Sequence, residues 1–229
     1  MQNSRHCLIE TADRDRLADE ITRRAGDVLT KALAERPRAS LALTGGRLPQ
    51  TYLPTVFSLP LDWSRVVLTL ADDRVVPIEH DDSNAGLVLR CRNMTSAKAA
   101  PFVPLVPDGA VISGAQAIED RLRRDVPLPI DLAILGIGED GHIASLFPKL
   151  APDLSTDALC ICVAAPPPPH RHPRISLTLC ALAATQSIIL ALTGTGKRKA
   201  LEDALADISS PLGALAHKAG RRLCIIAAP

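Results

Sequence analysis

Gly136-Ile137-Gly138-Glu139-Asp140-Gly141-His142 sets an imidazole in a glycine-rich turn, two residues after a carboxylate, and Ile143-Ala144-Ser145-Leu146-Phe147-Pro148 follows. Histidine is the side chain whose unperturbed proton affinity suits general-base work near neutral pH. A lone histidine is more often structural. Here the glycines, the neighbouring Asp140 and a place at the end of an apolar run starting at Asp131 favour catalysis. The stretch also contains a formal G-x-G-x-x-G. A dinucleotide site needs a full helix after the third glycine and an acid at the end of the next strand, whereas Pro148 breaks this segment and APDLS follows at 151–155. No nicotinamide cofactor is implied.

Two further loops could hold an anion. Thr44-Gly45-Gly46-Arg47 follows the apolar run SLALT, so bare backbone amides can approach a phosphate while Arg47 adds charge at a helix start. The competing reading is a plain glycine turn. Lys197 follows Gly194-Thr195-Gly196 at the end of another apolar run, without the spacing of a nucleotide-triphosphate loop. Alone it reads as a solvated lysine; with the Gly45-Gly46 turn it favours one shared phosphate. A third cluster, Asp72-Asp73-Arg74, ends the run RVVLTL, and Asn84 is placed to begin a helix. Carboxylates there can position or take protons, though Asp73 reads equally well as solvated surface. His170 and His172 make a weak metal pair among prolines with no fitting third ligand, so no metal is expected. His6, His80 and His217 read as surface residues.

Buried strands must position these loops. Residues 11–36 carry Leu17, Ile21, Ala25, Val28, Leu29 and Leu33 at helical spacing between charged residues. Then come SLALT (40–44) with RLPQTYLPTVF behind it, RVVLTLADD (65–73), DLAILGIGEDG (131–141), SIILALTGTGK (187–197) with KRKALEDALADI behind it, and RLCIIAA (222–228). Continuous rather than alternating apolar runs mean burial on both faces. The expectation is a single α/β domain over 1–229, an open, doubly wound, mostly parallel sheet with helices on both faces, Rossmann-like. Ligands then gather at the carboxyl ends of the strands. PPPPHRHP (166–173) reads as a stiff extended loop.

Composition bounds the partners. Twenty-six basic residues nearly cancel 25 acidic ones, so no broad positive field exists for nucleic acid or an anionic membrane, and 2% aromatic residues are too few to stack unpaired bases. The six cysteines show no C-x-x-C spacing and read as reduced core residues. With no apolar run near membrane-spanning length and a polar start, a cytoplasmic enzyme is expected, working as a monomer or weak dimer.

In order, LALTGGRLP, DWSRVVLTLADDRVVP with DDSN, GIGEDGHIASLFP, and PRISLTL with LTGTGK are similar to the blocks of the glucosamine-6-phosphate isomerase/6-phosphogluconolactonase family. The match spans nearly the whole chain. The deaminase branch reads A-F-N-E-P where this chain has Ala144-Ser145-Leu146-Phe147-Pro148, and the missing glutamate favours the lactonase branch. The resemblance implies a fold of sugar-phosphate isomerase type and hydrolysis of 6-phospho-D-glucono-1,5-lactone to 6-phospho-D-gluconate, the second step of the oxidative pentose phosphate pathway. It implies a phosphorylated sugar lactone as the partner and no cofactor. It puts phosphate on Thr44, Gly45, Gly46, Arg47, Arg174 and Lys197, with Arg171 as the alternative to Arg174. It puts the base on His142, orienting or electrostatic roles on Asp72, Arg74 and Asp140, and Asn84 along the site. The alternatives are a glucosamine-6-phosphate deaminase/isomerase on the same scaffold and a non-catalytic sugar-phosphate sensor.

Overall fold

Asp13 opens the first long helix by accepting from Arg16 N at 2.8 Å, and Leu17, Ile21, Ala25, Leu29 and Ala32 then recur on its buried face. In a computed structural model the chain is described at residues 6–106, 115–150, 156–164 and 166–229; residues 151–155, placed behind Pro148 by the sequence, lie outside them. The strands are β1 (Cys7–Glu10), β2 (Ala39–Leu43), β3 (Val66–Leu70), β4 (Asp72–Arg74), β5 (Leu132–Gly136), β6 (Cys160–Val163), β7 (Arg174–Leu177), β8 (Ser187–Thr193) and β9 (Leu223–Ala228). The helices are α1 (Arg14–Glu35), α2 (Pro49–Val56), α3 (Asn84–Asn93), α4 (Ala115–Asp125), α5 (Leu179–Ala184), α6 (Thr195–Ala206) and α7 (Pro211–Ala219).

Six strands form one parallel sheet in the order β1-β9-β8-β5-β2-β3. Leu43 stands opposite both Leu70 and Ile134, which fixes β2 against β3 on one side and β5 on the other. Every residue of β2, β3 and β9 is buried, so both faces are covered. Parallel crossovers are right-handed, so their direction decides the face. α1 and α2, which pack on each other, carry the chain from β1 to β2 and from β2 to β3. α5, α6 and α7, which also pack together, lie in connections running the opposite way, from β5 to β8 to β9. The direction reverses at the neighbouring strands β2 and β5, and a crevice opens outside their carboxyl ends.

A second, antiparallel sheet, β4-β7-β6, was not anticipated. RVVLTLADD is not one strand. Ala71 N donates to Leu43 O of the large sheet at 2.7 Å, while Ala71 O accepts from Leu177 N of β7 at 2.8 Å. The two acids and Arg74 therefore leave the parallel sheet and pair with β7, Asp72 opposite Ser176 and Arg74 opposite Arg174. The proline-rich loop 166–173 lies outside helix and strand. The cysteines correct the sequence reading in part: all six are free thiols, but only Cys160 and Cys224 are buried, and Cys7 and Cys162 are exposed on the edge strands β1 and β6. Among the described residues no helix is long and apolar enough to cross a membrane.

Candidate active site

Beyond β5 the chain doubles back in a narrow turn. Gly138 N donates to His142 O at 2.9 Å and Gly141 N to Gly138 O at 3.0 Å, with Gly141 at φ +83°. A Cβ on Gly138 would stand 2.2 Å from His142 Nδ1 and 2.5 Å from Asp140 Oδ1, so only glycine lets the two side chains meet. They do, with Nδ1 2.5 Å from Oδ1. The hydrogen bond from His142 holds the Asp140 carboxyl well below the usual carboxylate range. An ionised acceptor at Nδ1 fixes the proton on that nitrogen of the neutral ring and leaves the lone pair on Nε2. Phe147 packs on the ring, centroids 4.7 Å apart. Ala144, at φ +49°, sits in the left-handed region that a non-glycine residue occupies only at a cost of about 1–2 kcal/mol.

β2 and β8 flank β5, so the loops behind them stand on either side of this turn. After β2, Gly45 leaves room for Asn84, whose Oδ1 would lie 1.7 Å from a Cβ, and Gly46 adopts φ +103°. Arg47 precedes α2. After β8, Gly194 at φ +90° precedes α6, whose third residue is Lys197. Burial and then the charge of Arg47 push the Lys197 ammonium down from its ordinary value. An anion between the two cations would relieve that repulsion.

The third loop brings buried polar groups. Asp72 accepts from Ser145 Oγ at 2.6 Å and lies 3.6 Å from Arg174 Nη1, and Asn84 Nδ2 donates to its carbonyl at 2.8 Å. Asp73, which could have been solvated surface, is buried instead. It accepts from Arg74 N, Asn84 N and Ala85 N at 2.8, 2.7 and 3.2 Å, fastening the start of α3 to β4. Burial outweighs these three donors and pushes Asp73 up to about 6. The Arg74 guanidinium donates to Asp82 O at 2.7 Å. Among the described residues, the buried Nε atoms of Arg74 and Arg174 have no protein acceptor, which leaves donors for a bound oxygen.

These loops enclose a cleft of about 370 Å³ at the β2/β5 reversal. Thr44, Gly45, Gly46, Arg47, Asp72, Arg74, Asn84, His142, Arg174 and Lys197 all line it, and Asp140 backs His142. Of the two arginines offered for the phosphate, Arg174 is buried in the cleft, whereas Arg171 is exposed and lines a neighbouring hollow. Sequence reasoning missed Ser145 and His170. Ser145 was legible only as part of the ASLFP block, and His170 only as one of two histidines among prolines. The pair itself divides: His172 meets Asp82 at 3.0 Å and packs on His80, while His170 packs on His142. Among the described residues two donor groups, His80-Asp82-His172 and Asp140-His142-His170, each have their ligand atoms within 4.8 Å of one another. The second is committed to internal hydrogen bonds beside the Arg174 guanidinium, an unfavourable place for a cation. A separate, largely apolar hollow of about 210 Å³ is walled by Leu122, Val126, Ile130 and Leu177, with Arg123 as its charged side chain among the described residues.

Comparisons with known proteins agree with this architecture. The family model described as glucosamine-6-phosphate isomerases/6-phosphogluconolactonase matches residues 12–224. A 6-phosphogluconolactonase of Mesorhizobium japonicum is 38% identical over 95% of this chain and 93% of its own. One of Pseudomonas aeruginosa is 42% identical over 78% of this chain and 76% of its own. The crystal structure of a 6-phosphogluconolactonase from Shewanella baltica superposes with a TM-score of 0.87 at 29% identity, covering 98% of both chains. With the buried parallel sheet, the D-G-H turn after β5 and the glycine turn after β2 all in place, this chain belongs to the glucosamine-6-phosphate isomerase/6-phosphogluconolactonase family.

Proposed function

We propose that the protein hydrolyses 6-phospho-D-glucono-1,5-lactone to 6-phospho-D-gluconate in the oxidative pentose phosphate pathway. The observation that carries this is the pairing of His142 with an ionised Asp140 in one cleft with the Arg47–Lys197 pair. Gly45, Gly46 and Thr44 with Arg47, Lys197 and Arg174 take the phosphate and anchor the lactone ring across the cleft. His142 Nε2 removes a proton from water as its oxygen attacks C1. Arg74 and nearby amides stabilise the oxyanion. Collapse breaks the C1–O5 bond, and the proton held by His142 goes to the departing oxygen. Asp72, saturated by Ser145, Asn84 and Arg174, sets the field and holds Arg174. Phe147 stands where the deaminase branch carries its glutamate and turns an aromatic ring to the base, which disfavours amino-sugar ring opening.

A lactone is already an activated ester, so no cofactor is required. The nearly continuous buried core, from Leu17 on α1 to Ala228 on β9, supports one domain. Cytoplasmic location and a monomer or weak dimer complete the reading; sedimentation at micromolar concentration tests the last. The activity test is loss of fresh 6-phosphogluconolactone above its spontaneous rate, coupled to a dehydrogenase. His142→Ala is expected to cut kcat by about 10²-fold or more. An unchanged lactone lifetime with the wild-type protein, or near-normal turnover in His142→Ala, would refute the assignment. Ammonia release from glucosamine 6-phosphate would instead identify a deaminase, and phosphosugar binding without turnover a sensor.

A further inference from the structure

His170 belongs to no helix or strand, yet its ring is held on three sides. It meets His142 edge-on, centroids 5.1 Å apart at 87°, and Phe147 at 4.9 Å. Arg174 Nη2 lies 3.1 Å from its Nδ1, and Asp140 Oδ2 lies 3.5 Å from its Nε2. A guanidinium can only donate, so Nδ1 must accept, and the proton of the neutral ring sits on Nε2, facing Asp140. Burial and the Arg174 charge push His170 down from its ordinary value, which keeps it neutral. Arg174 is itself fixed at its other nitrogen, 3.4 Å from Ser145 Oγ and 3.6 Å from Asp72. Each oxygen of Asp140 thus answers to a different histidine, Oδ1 to His142 and Oδ2 to His170.

The geometry points to His170 as a positioning residue for the base: anchored by Arg174, it holds Asp140 so that His142 stays protonated on Nδ1 with Nε2 turned to the cleft. Without it, Asp140 keeps one hydrogen-bonded oxygen and can rotate about its side-chain bonds. The inference rests on the lactonase reading for its kinetic readout and on no reading for its spectroscopic one. His170→Phe keeps a ring against His142 and Phe147 but removes the hydrogen bond to Arg174 and the polar contact with Asp140. His170→Gln keeps a donor and an acceptor on one side chain. With 6-phosphogluconolactone, the phenylalanine variant is expected to lose about tenfold in kcat with KM within about twofold, and the glutamine variant to recover most of the loss. Nitrogen-15 NMR of the His142 ring is expected to show the Nδ1-protonated form in the wild type and His170→Gln, and a mixture of tautomers in His170→Phe. A loss in His170→Gln with wild-type kcat and tautomer in His170→Phe would make the role one of ring packing and overturn the proposal, as would equal losses in the two variants, which would show that a retained donor and acceptor do not rescue the base. A wild-type protein that fails to accelerate hydrolysis would sink the lactonase reading alone, and the tautomer comparison then decides His170.

Discussion

Gly138 contributes no side chain, and that omission lets His142 and Asp140 approach. Gly138→Ala must displace one of them, because its methyl group would fall inside both contacts. The backbone around it is not in the left-handed region, so the fold should tolerate the change. We expect kcat to fall by about 10²-fold, the scale of losing a positioned base, while the melting temperature moves by only a few degrees. Steady-state kinetics beside a thermal melt check this; full activity would mean that the dyad does not depend on Gly138. His142 and Asp140 were legible in the sequence because glycine, acid and histidine are packed into seven residues. His170 was not, because its role depends on where a proline-rich loop travels through space; Arg174, its partner, was offered by the family resemblance, but its place beside Asp72 follows only from the pairing of β7 with β4.

At the scale of elements, the long parallel strands and α1 were legible because their apolar patterns are continuous and their ends carry glycine or a capping acid. The sheet β4-β7-β6 was hidden, since β4 has three residues and its pairing is made with residues about a hundred positions away. Its attachment to the site passes through Asp73, whose side chain holds the first two amides of α3. With Asp73 at about 6 in the folded protein against 3.8 ordinarily, the folded state holds a proton that the unfolded chain has released between those values. Its contribution to stability therefore falls as pH rises from about 4 to about 6 and is constant above. The melting-temperature gap between wild type and Asp73→Asn is expected to narrow over that window. A gap independent of pH would show that Asp73 titrates at its ordinary value.

For the whole molecule, the formal charge of +1 conceals an uneven distribution. Arg47, Arg74, Arg174 and Lys197 all open onto one cleft at one end of the sheet, where they outnumber Asp72 and the Asp140 behind His142. The consequence is felt before any contact is made. An approaching dianion meets a protein that is nearly neutral at long range and positive only within about one screening length, about 10 Å at 0.1 M ionic strength. Encounter should therefore depend on salt in a way that net charge does not foretell. Raising ionic strength from low to near-molar is expected to reduce kcat/KM for the phosphorylated lactone several-fold with kcat almost unchanged, and to leave a lactone without phosphate unaffected. The strand order that gathers four separate loops at one end of the sheet thus also sets how this protein captures its substrate from solution.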